Sequence, residues 1–344
     1  MKLNLHAFTK LLCSFLVTFS GCFAYAGTLF VANKSSDSVT LFQESTLSKI
    51  AEIPTGRHPH EVALATDGHY AMISNYGSGF EPGSTLTVID VAKRAVARTI
   101  QLPPKARPHG IYFLNASQAL VTAEGIQSLL LVNVETGKIE HSLPLPGKGA
   151  HLLTVDRAQE FAYIANAESG TVTKVDLLTQ RVVAEQSIGK ASEGIVLSAD
   201  EETLLVSNRK DSLVAFLRAS DLSLLSTTKT GNGPIRLALF DHGASAVMTN
   251  SVGGTFQTLD VESGAILKTV KTTNSFSFES GSTLGGLFGI LSVPITVLVR
   301  DDQETAYISN SFAGNITLVN LKTGEILKTF AASKEPDGMA LLRD

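Results

Sequence analysis

Five titratable side chains share one place in a repeated sequence pattern, in which each begins a short apolar run directly after a proline or a small residue. They are His60, His109, His151, Glu193 and Asp337. Neutral imidazoles bind zinc, copper and iron, and a carboxylate can complete such a ligand set. The residue types therefore fit a divalent transition-metal site. They fit equally a small-molecule site, or a polar wall that only contacts water.

A second set of charged residues precedes the first by two or three positions. Its members are Arg57, Arg107, Lys148, Lys190 and Lys334. Arg236, which follows the apolar counterpart Ile235, is a sixth candidate cation. Cations gathered at one mouth of an acidic protein attract anionic ligands. A small anion or a haem-type tetrapyrrole is thus a second class of ligand, and the alternative is that these are ordinary solvated corner residues.

An internal repeat shows that these positions are equivalent to one another. Seven short strands, most of them ending in asparagine, recur along the chain. They end at Asn33, Asn75, Ala123, Asn166, Asn208, Asn250 and Asn310, so the intervals are 42, 48, 43, 42, 42 and 60 residues. A period of about 42 residues accommodates the four short strands of one propeller blade. The sequence therefore predicts an all-β fold, a seven-bladed β-propeller with four-stranded antiparallel blades.

The order of strands within the repeat predicts how the ring closes. The chain starts on the second strand of a blade, at 28–33, and ends on an innermost strand, at 337–342. The C-terminal strand should therefore complete the N-terminal blade, which removes exposed sheet edges. Equivalent residues of successive blades surround the central channel. The expected order around it is Asp337, His60, His109, His151, Glu193, Ile235 and Ile295.

Composition supports a large folded domain and excludes several classes of site. Of the 344 residues, 44% are hydrophobic and 17% are charged, which permits a sizeable core. Both cysteines, Cys13 and Cys22, lie in the first 26 residues, so the remainder has no disulfide, no thiolate metal site and no CxxCH haem attachment. Without Lys2 and Lys10, the 28 basic residues fall to 26 against 32 acidic ones, a net charge of −6. This charge argues against general nucleic-acid binding.

The first 26 residues have the three parts of a secretory signal peptide. Two lysines supply the positive charge, residues 11–19 the apolar segment, and Ala-Tyr-Ala at 24–26 the cleavage site. Cleavage near Ala26 would leave a single propeller domain at 27–344, periplasmic or secreted. A lipoprotein anchored at Cys22 is the alternative, because the surrounding FSGC is close to a lipobox.

Individual repeat units resemble a known repeat type. The stretches AYISNSFAGNITLVNLKTGEILKTF at 306–330 and FAYIANAESGTVTKVDLLTQRVV at 161–183 are similar to the YVTN-type repeat of YncE-like propellers. The resemblance covers nearly the whole chain after residue 26. It implies a seven-bladed propeller exported across the inner membrane, and it implies no particular activity, because one fold serves many functions.

Two departures from the period place insertions on the channel face. One lengthens the turn at 76–83 and the other the corner at 272–293. In a blade, these two kinds of connection emerge on the face that bears the five titratable residues. The candidate lid or interface residues are Tyr76, Phe80, Phe276, Phe278, Leu287 and Phe288. Residues 276–291 could cover a ligand, contact a membrane or a protein partner, or plug the channel.

Two weaker resemblances name alternative functions. The RHPH corner at 57–60 resembles the Pro-His corners of lactonase-type propellers. The resemblance implies four loose counterparts of their catalytic residues, namely His60, His109, Glu193 and Arg236. The histidines with the corner cations resemble d1-haem-type propellers, which implies a bound tetrapyrrole. Since no catalytic motif matches fully, the sequence favours an exported, monomeric protein that binds a small anionic ligand, a metal or a protein partner.

Overall fold

The computed structural model describes residues 27–272 and 293–343, and within them 28 strands form seven separate four-stranded antiparallel sheets. The first half of the chain contains β1 Thr28–Asn33, β2 Ser38–Gln43, β3 Ser48–Pro54, β4 Pro59–Leu64, β5 Tyr70–Gly77, β6 Pro82–Asp90, β7 Ala95–Gln101, β8 Pro108–Phe113, β9 Gln118–Ala123, β10 Ser128–Asn133, β11 Ile139–Pro144, β12 Ala150–Val155, β13 Phe161–Asn166 and β14 Thr171–Asp176. The second half contains β15 Arg181–Ser187, β16 Ser192–Leu197, β17 Thr203–Asn208, β18 Leu213–Arg218, β19 Leu224–Lys229, β20 Pro234–Phe240, β21 Ser245–Asn250, β22 Thr255–Asp260, β23 Ile266–Lys271, β24 Pro294–Val299, β25 Thr305–Asn310, β26 Asn315–Asn320, β27 Ile326–Ala331 and β28 Pro336–Leu342.

The sheets confirm the seven-bladed propeller and its closure. Each blade runs from an inner to an outer strand, as in the order β4-β5-β6-β7 of the second blade. The first blade has the order β28-β1-β2-β3, with Leu29 opposite Leu341 and Phe30 opposite Ala340. The last strand therefore completes the blade that the first strand begins, as the sequence predicts.

Helical structure in the described chain is limited to single turns. Three 3-10 helices, Lys34–Ser36, Glu124–Ile126 and Asp241–Gly243, lie in connections between strands. A membrane-spanning helix, long and apolar enough to cross a bilayer, does not occur among the described residues. The predicted signal peptide and most of the 272–293 insertion lie outside the described residues, including Phe276, Phe278, Leu287 and Phe288.

The apolar core is divided among the contacts between blades. Seven clusters of buried side chains occur in the described residues, and each joins two neighbouring blades around the ring. Burial decreases from the second strand of a blade to its outer strand. The second strands are almost wholly buried, whereas the outer strands alternate between exposed and part-buried residues. Because each blade buries both faces only between two neighbours, stability depends on a closed ring.

The asparagine at the repeat position of six of the seven second strands has a structural role. In the second blade, the Asn75 amide donates to Thr85 Oγ1 and Thr87 Oγ1, both at 3.0 Å, and its oxygen accepts from the Gly56 backbone N–H at 3.1 Å. A side chain on Gly56 would place its Cβ 2.6 Å from the Asn75 amide nitrogen. The asparagine thus ties the corner leading to the inner strand against the third strand, while the glycine leaves room for it.

A β-bulge opens each inner strand of the described chain. In the second blade Pro59 pairs with Asn75, but the next pair is Val62 with Ile73, so His60 and Glu61 together face Ser74. A bulge adds a residue and bends the strand, which re-aims side chains. In the second and sixth blades the second bulge residue, Glu61 or Arg236, thereby reaches the channel beside the first.

Replacement of Asn75 by alanine should destabilise the fold by about 2–4 kcal/mol, because it removes three hydrogen bonds of a buried side chain and leaves the Gly56 N–H only its longer contact with Thr87 Oγ1, at 3.2 Å. Denaturant unfolding of Asn75→Ala measures this loss. The exposed Asn232→Ala is the matched control and should change stability by less than about 0.5 kcal/mol. Equal effects in the two variants would contradict the structural role.

Candidate ligand site at the channel mouth

The three histidines of the inner strands meet at one mouth of the channel. Their strands β4, β8 and β12 belong to successive blades, and the bulges turn the rings towards one another. The His60 and His109 ring centroids are 5.3 Å apart, and those of His109 and His151 are 3.7 Å apart. The structure therefore brings together the histidines that the repeat placed at equivalent positions.

His151 lies between two carboxylates. Its Nδ1 is 2.6 Å from Glu124 Oε1 and its Nε2 is 3.4 Å from Glu193 Oε2. Glu124 follows β9 in the third blade, and Glu193 opens β16 in the fifth. An imidazole with an acid at each nitrogen is held in its doubly protonated form.

Both carboxylates are in turn held by an arginine. Glu124 Oε2 accepts a 2.5 Å hydrogen bond from the Tyr76 hydroxyl, and that hydroxyl accepts one from Arg107. On the other side, Arg209 donates to Glu193 Oε1 at 3.1 Å. The result is a continuous hydrogen-bonded series, here termed the charged chain: Arg107, Tyr76, Glu124, His151, Glu193 and Arg209.

The charged chain sets the protonation of its members. Burial alone would lower the pKa of His151, but hydrogen bonds to Glu124 and Glu193 raise it to about 9. Burial would raise the pKa of Glu193, yet the contacts with His151 and Arg209 lower it to about 2. The pKa of Glu124 is likewise lowered by His151 against the effect of burial. In the ligand-free protein at neutral pH, His151 is therefore a cation between two anions.

The other two histidines are neutral. Burial lowers the pKa of His60 to about 4, and burial together with the nearby positive charge of His151 lowers the pKa of His109 well below its usual value. His60 Nδ1 lies 3.0 Å from the His58 carbonyl, so the proton is on Nδ1 and Nε2 keeps its lone pair. His109 is 2% exposed, and its Nδ1 has no hydrogen-bond partner. Neutral imidazoles of this kind can bind a metal ion.

An ion pair spans the channel below the histidines. Glu61, the second bulge residue of the second blade, contacts Arg236, the second bulge residue of the sixth. Burial raises the pKa of Glu61 although Arg236 opposes the shift. The Glu61 Oε1 atom is also 3.8 Å from His109 Nδ1. Arg236 is thus part of the floor of the mouth, with its Nε buried and without a partner.

The remaining predicted residues occupy different surroundings. Asp337 is buried, with one oxygen 3.7 Å from Lys34 Nζ, and Ile235 and Ile295 complete the ring. Among the corner cations, Arg107 alone enters the charged chain, while Arg57 pairs with Glu81. Arg57 is exposed nevertheless, and so are the other three corner cations, Lys148, Lys190 and Lys334.

Backbone position explains why Arg107 differs from the other corner cations. It directly precedes the corner proline and has a φ of 47°, in the left-handed region. The equivalent residues of the fourth and sixth blades are Gly149 and Gly233, with φ of 73° and 72°. Arg57 lies one residue earlier and projects outwards. A difference of one residue before the bulge therefore decides whether a cation faces the mouth or the solvent.

Several mouth residues are not predicted by the first inner-strand position of the repeat, because they occupy other positions of the blade. The residue that follows Asn33, Asn75, Ala123 and their equivalents is, in blade order, Lys34, Tyr76, Glu124, Ala167, Arg209, Ser251 and Ser311. Large polar side chains occupy this position in the first, second, third and fifth blades, and Tyr76, Glu124 and Arg209 belong to the charged chain. The repeat alignment contains this signal. Glu61 required knowledge of the bulge, which the spacing does not reveal.

Three side chains could hold a metal ion. One ligand atom from each of His109, Glu124 and His151 lies within 4.8 Å of the other two. Two neutral imidazole nitrogens and one carboxylate oxygen form a common ligand set for zinc and non-haem iron. An ion would replace the proton that His151 and Glu124 now share.

The shorter insertion contributes to the mouth at one end only. It extends the β5–β6 hairpin, and Tyr76 at its base stacks at 4.3 Å on His60 while Arg107 lies 4.3 Å above its ring. Phe80 at its tip is fully exposed. Of the two aromatic residues proposed for a lid or interface here, Tyr76 is a mouth residue and Phe80 projects into solvent.

Comparison with known proteins supports the propeller fold and finds relatives of the chain. The chain matches no protein-family model. It is 22% identical to the uncharacterized protein YncE of Salmonella typhi and of Salmonella typhimurium, in an alignment of 335 residues that covers 92% of this chain and 87% of each relative. The chain is a seven-bladed propeller that is similar to YncE. The similarity spans all blades, as the repeat resemblance implies.

Solved structures with the same fold include proteins of different kinds. A functionally unknown protein from Desulfotomaculum acetoxidans covers 92% of this chain and 99% of its own, with a TM-score of 0.74 and 13% identity. Hydrazine synthase of Kuenenia stuttgartiensis covers 85% and 92%, at 0.69 and 15%. The dihydro-haem d1 dehydrogenase NirN, solved with DHE, covers 91% and 74%, at 0.63 and 12%. At these identities they establish the propeller fold and no activity.

The protonation of His151 makes stability fall at alkaline pH in EDTA-treated protein. A histidine whose folded-state pKa is raised stabilises the fold fully below its unfolded value of 6.5, and this contribution is lost as pH rises through about 9. The loss between these limits is about 3 kcal/mol. Denaturant unfolding at a series of pH values measures it, and imidazole NMR locates the titration.

The variant Glu193→Gln keeps the size of the side chain and removes one anion. It should lower the His151 pKa by about one unit or more and flatten the alkaline decline in stability. His69→Gln, on an exposed turn, is the control and should leave both unchanged. A His151 that titrates near 6.5 in the wild type would contradict this interpretation.

Proposed function

We propose that the protein is an exported YncE-like propeller that binds one divalent transition-metal ion at its channel mouth through His109, Glu124 and His151. The observation that supports this most directly is the approach of their three ligand atoms to within 4.8 Å. A buried His109 nitrogen without a partner adds to it, because such a group is costly unless a ligand or ion satisfies it.

Neighbouring side chains already orient the proposed ligands. Tyr76 donates to the second oxygen of Glu124, and Glu193 contacts the second nitrogen of His151. Carboxylates and hydroxyls behind a ligand fix its tautomer and direction and strengthen metal binding. The bound ion would act as a Lewis acid for a ligand that reaches it from the face of the propeller.

Export and partner binding are further parts of the proposal. The signal-peptide pattern would place Gly27 at the start of the mature, periplasmic or secreted protein. The fully exposed Phe80, on the hairpin beside the mouth, would suit contact with a protein partner on that face.

A tetrapyrrole is a second candidate ligand, supported by His60. Its neutral ring keeps a lone pair on Nε2, the atom that would bind a haem-type iron, and the exposed Lys148 and Lys190 could contact carboxylates. Titration with haem should then give a Soret band that is lost in His60→Ala and retained in His69→Ala. A spectrum of free haem in the wild type would exclude this candidate. Lactone hydrolysis, the third alternative, has no comparable support, because Arg236 is paired with Glu61.

Metal analysis tests the principal proposal. Protein stripped with a chelator should take up one Zn²⁺ or Co²⁺ per chain, measured by calorimetry and by elemental analysis. Because Glu124→Gln removes an anionic ligand at constant size and His109→Ala removes a neutral one, each should weaken binding at least about tenfold. His69→Gln, remote from the mouth, should bind as the wild type does. Binding that is substoichiometric, or unchanged in both mouth variants, would contradict the proposal.

A further inference from the structure

We propose that removal of the signal peptide creates an ion-pair site where the ring closes, in which the α-ammonium group of Gly27 binds the Glu44 carboxylate and the Leu342 carbonyl. These three residues are here termed the closure clasp. The inference rests on the export and cleavage proposed above, and it does not involve the metal site. It follows from the position of Gly27, from the space around it and from the charges beside it.

Gly27 lies where the first and last strands of the propeller meet. It is buried, and its carbonyl accepts a 2.8 Å hydrogen bond from the Glu44 backbone N–H, in the turn between β2 and β3. The next residue, Thr28, begins β1 and pairs with Leu342 of β28. The first residue of the cleaved chain is therefore bound to a turn of the first blade and lies beside the last strand.

Cleavage changes the chemistry of the Gly27 nitrogen. Hydrolysis adds one water molecule across the Ala26–Gly27 peptide bond, which leaves a carboxylate on Ala26 and an ammonium group on Gly27. In the precursor this nitrogen is a neutral amide with a single N–H. In the mature protein at neutral pH it is a cation with three donors, and no preceding residue restricts rotation about the bond between the Cα and the carbonyl carbon.

The space around Gly27 fits an ammonium group and excludes a side chain. A Cβ on this glycine would lie 2.6 Å from the Leu342 carbonyl oxygen and 2.7 Å from Glu44 Oε2. Both distances are too short for a carbon atom, but they are close to those of charge-assisted N–H···O hydrogen bonds. Because a Cα–N bond is nearly as long as a Cα–Cβ bond, rotation of the terminal residue can place its nitrogen there while its carbonyl keeps the hydrogen bond to the turn.

The charges beside the glycine favour a cation. Glu44 Oε1 accepts a 2.7 Å hydrogen bond from Arg300 Nε of the seventh blade, so that Oε2 remains to face the glycine. Arg300 also contacts Asp302 at 3.3 Å, and it is therefore one cation between two anions. The neighbouring Asp301 is paired with Arg343. Since the Glu44 side chain is only 17% exposed, an ammonium group here balances a negative charge that water screens incompletely.

The experiment compares the mature chain 27–344 with the chain 26–344, which retains Ala26. A fusion partner whose protease leaves no additional residue yields each N-terminus, mass spectrometry verifies it, and denaturant unfolding measures the stability. In 26–344 the ammonium group is displaced by one residue and the Gly27 nitrogen is an amide. The unfolding equilibrium constant of 26–344 should therefore be about tenfold larger than that of 27–344.

The variant Glu44→Gln separates the ion pair from a steric effect of the additional residue. It removes the anion at constant size, so it should reduce the difference between the two chains several-fold. An effect of bulk alone would leave that difference unchanged. The matched control is Glu262→Gln, at an exposed position in the corresponding turn of the sixth blade, and it should preserve the difference.

The failures are distinguishable. Equal stability of 27–344 and 26–344 would overturn the closure clasp and leave export intact, as would a difference that persists in Glu44→Gln. Recovery of the exported protein with an N-terminus other than Gly27 would overturn the proposed cleavage, and the closure clasp with it. Both chains should bind Zn²⁺ equally, so a failure of the metal site would leave the closure clasp unaffected.

Discussion

Closure of the ring is the constraint on which the rest of the structure depends. Each blade is an antiparallel sheet whose two faces are apolar, and a cluster of buried side chains fills each contact between neighbours. Without the pairing of β28 with β1, two blades would expose a face and an edge to water. Closure in turn fixes the distance between the inner strands, and so it fixes what can occupy the channel.

The bulges of the inner strands place functional side chains in this channel. In the second and sixth blades they bring Glu61 and Arg236 to the channel beside the first residue of the inner strand. The charged side chains of the mouth are tolerated there because each lies beside an opposite charge: His151 with two carboxylates, and Glu61 with Arg236 across the ring. Burial without a partner would cost far more than the pairs themselves contribute. The mouth is therefore a balanced and pre-organised set of charges.

The fold and part of the site could be predicted from the sequence, for different physical reasons. A period of about 42 residues and the strand order define blades and closure without any knowledge of packing. Equivalence between blades also places His60, His109 and His151 together. It could not place Glu61, whose position depends on the bulge, or separate Arg107 from Arg57, which differ by one residue before a left-handed corner. The 272–293 insertion lies largely outside the described residues, so its predicted role stays a prediction.

The pairing of β1 with β28 has a consequence for the order of events during synthesis. These strands are about three hundred residues apart in sequence, and contacts so distant form late in folding. A ribosome or translocation channel releases β28 last, and β28 also carries Asp337 to the mouth. The arrangement of the channel side chains is thus complete only after the whole chain has emerged.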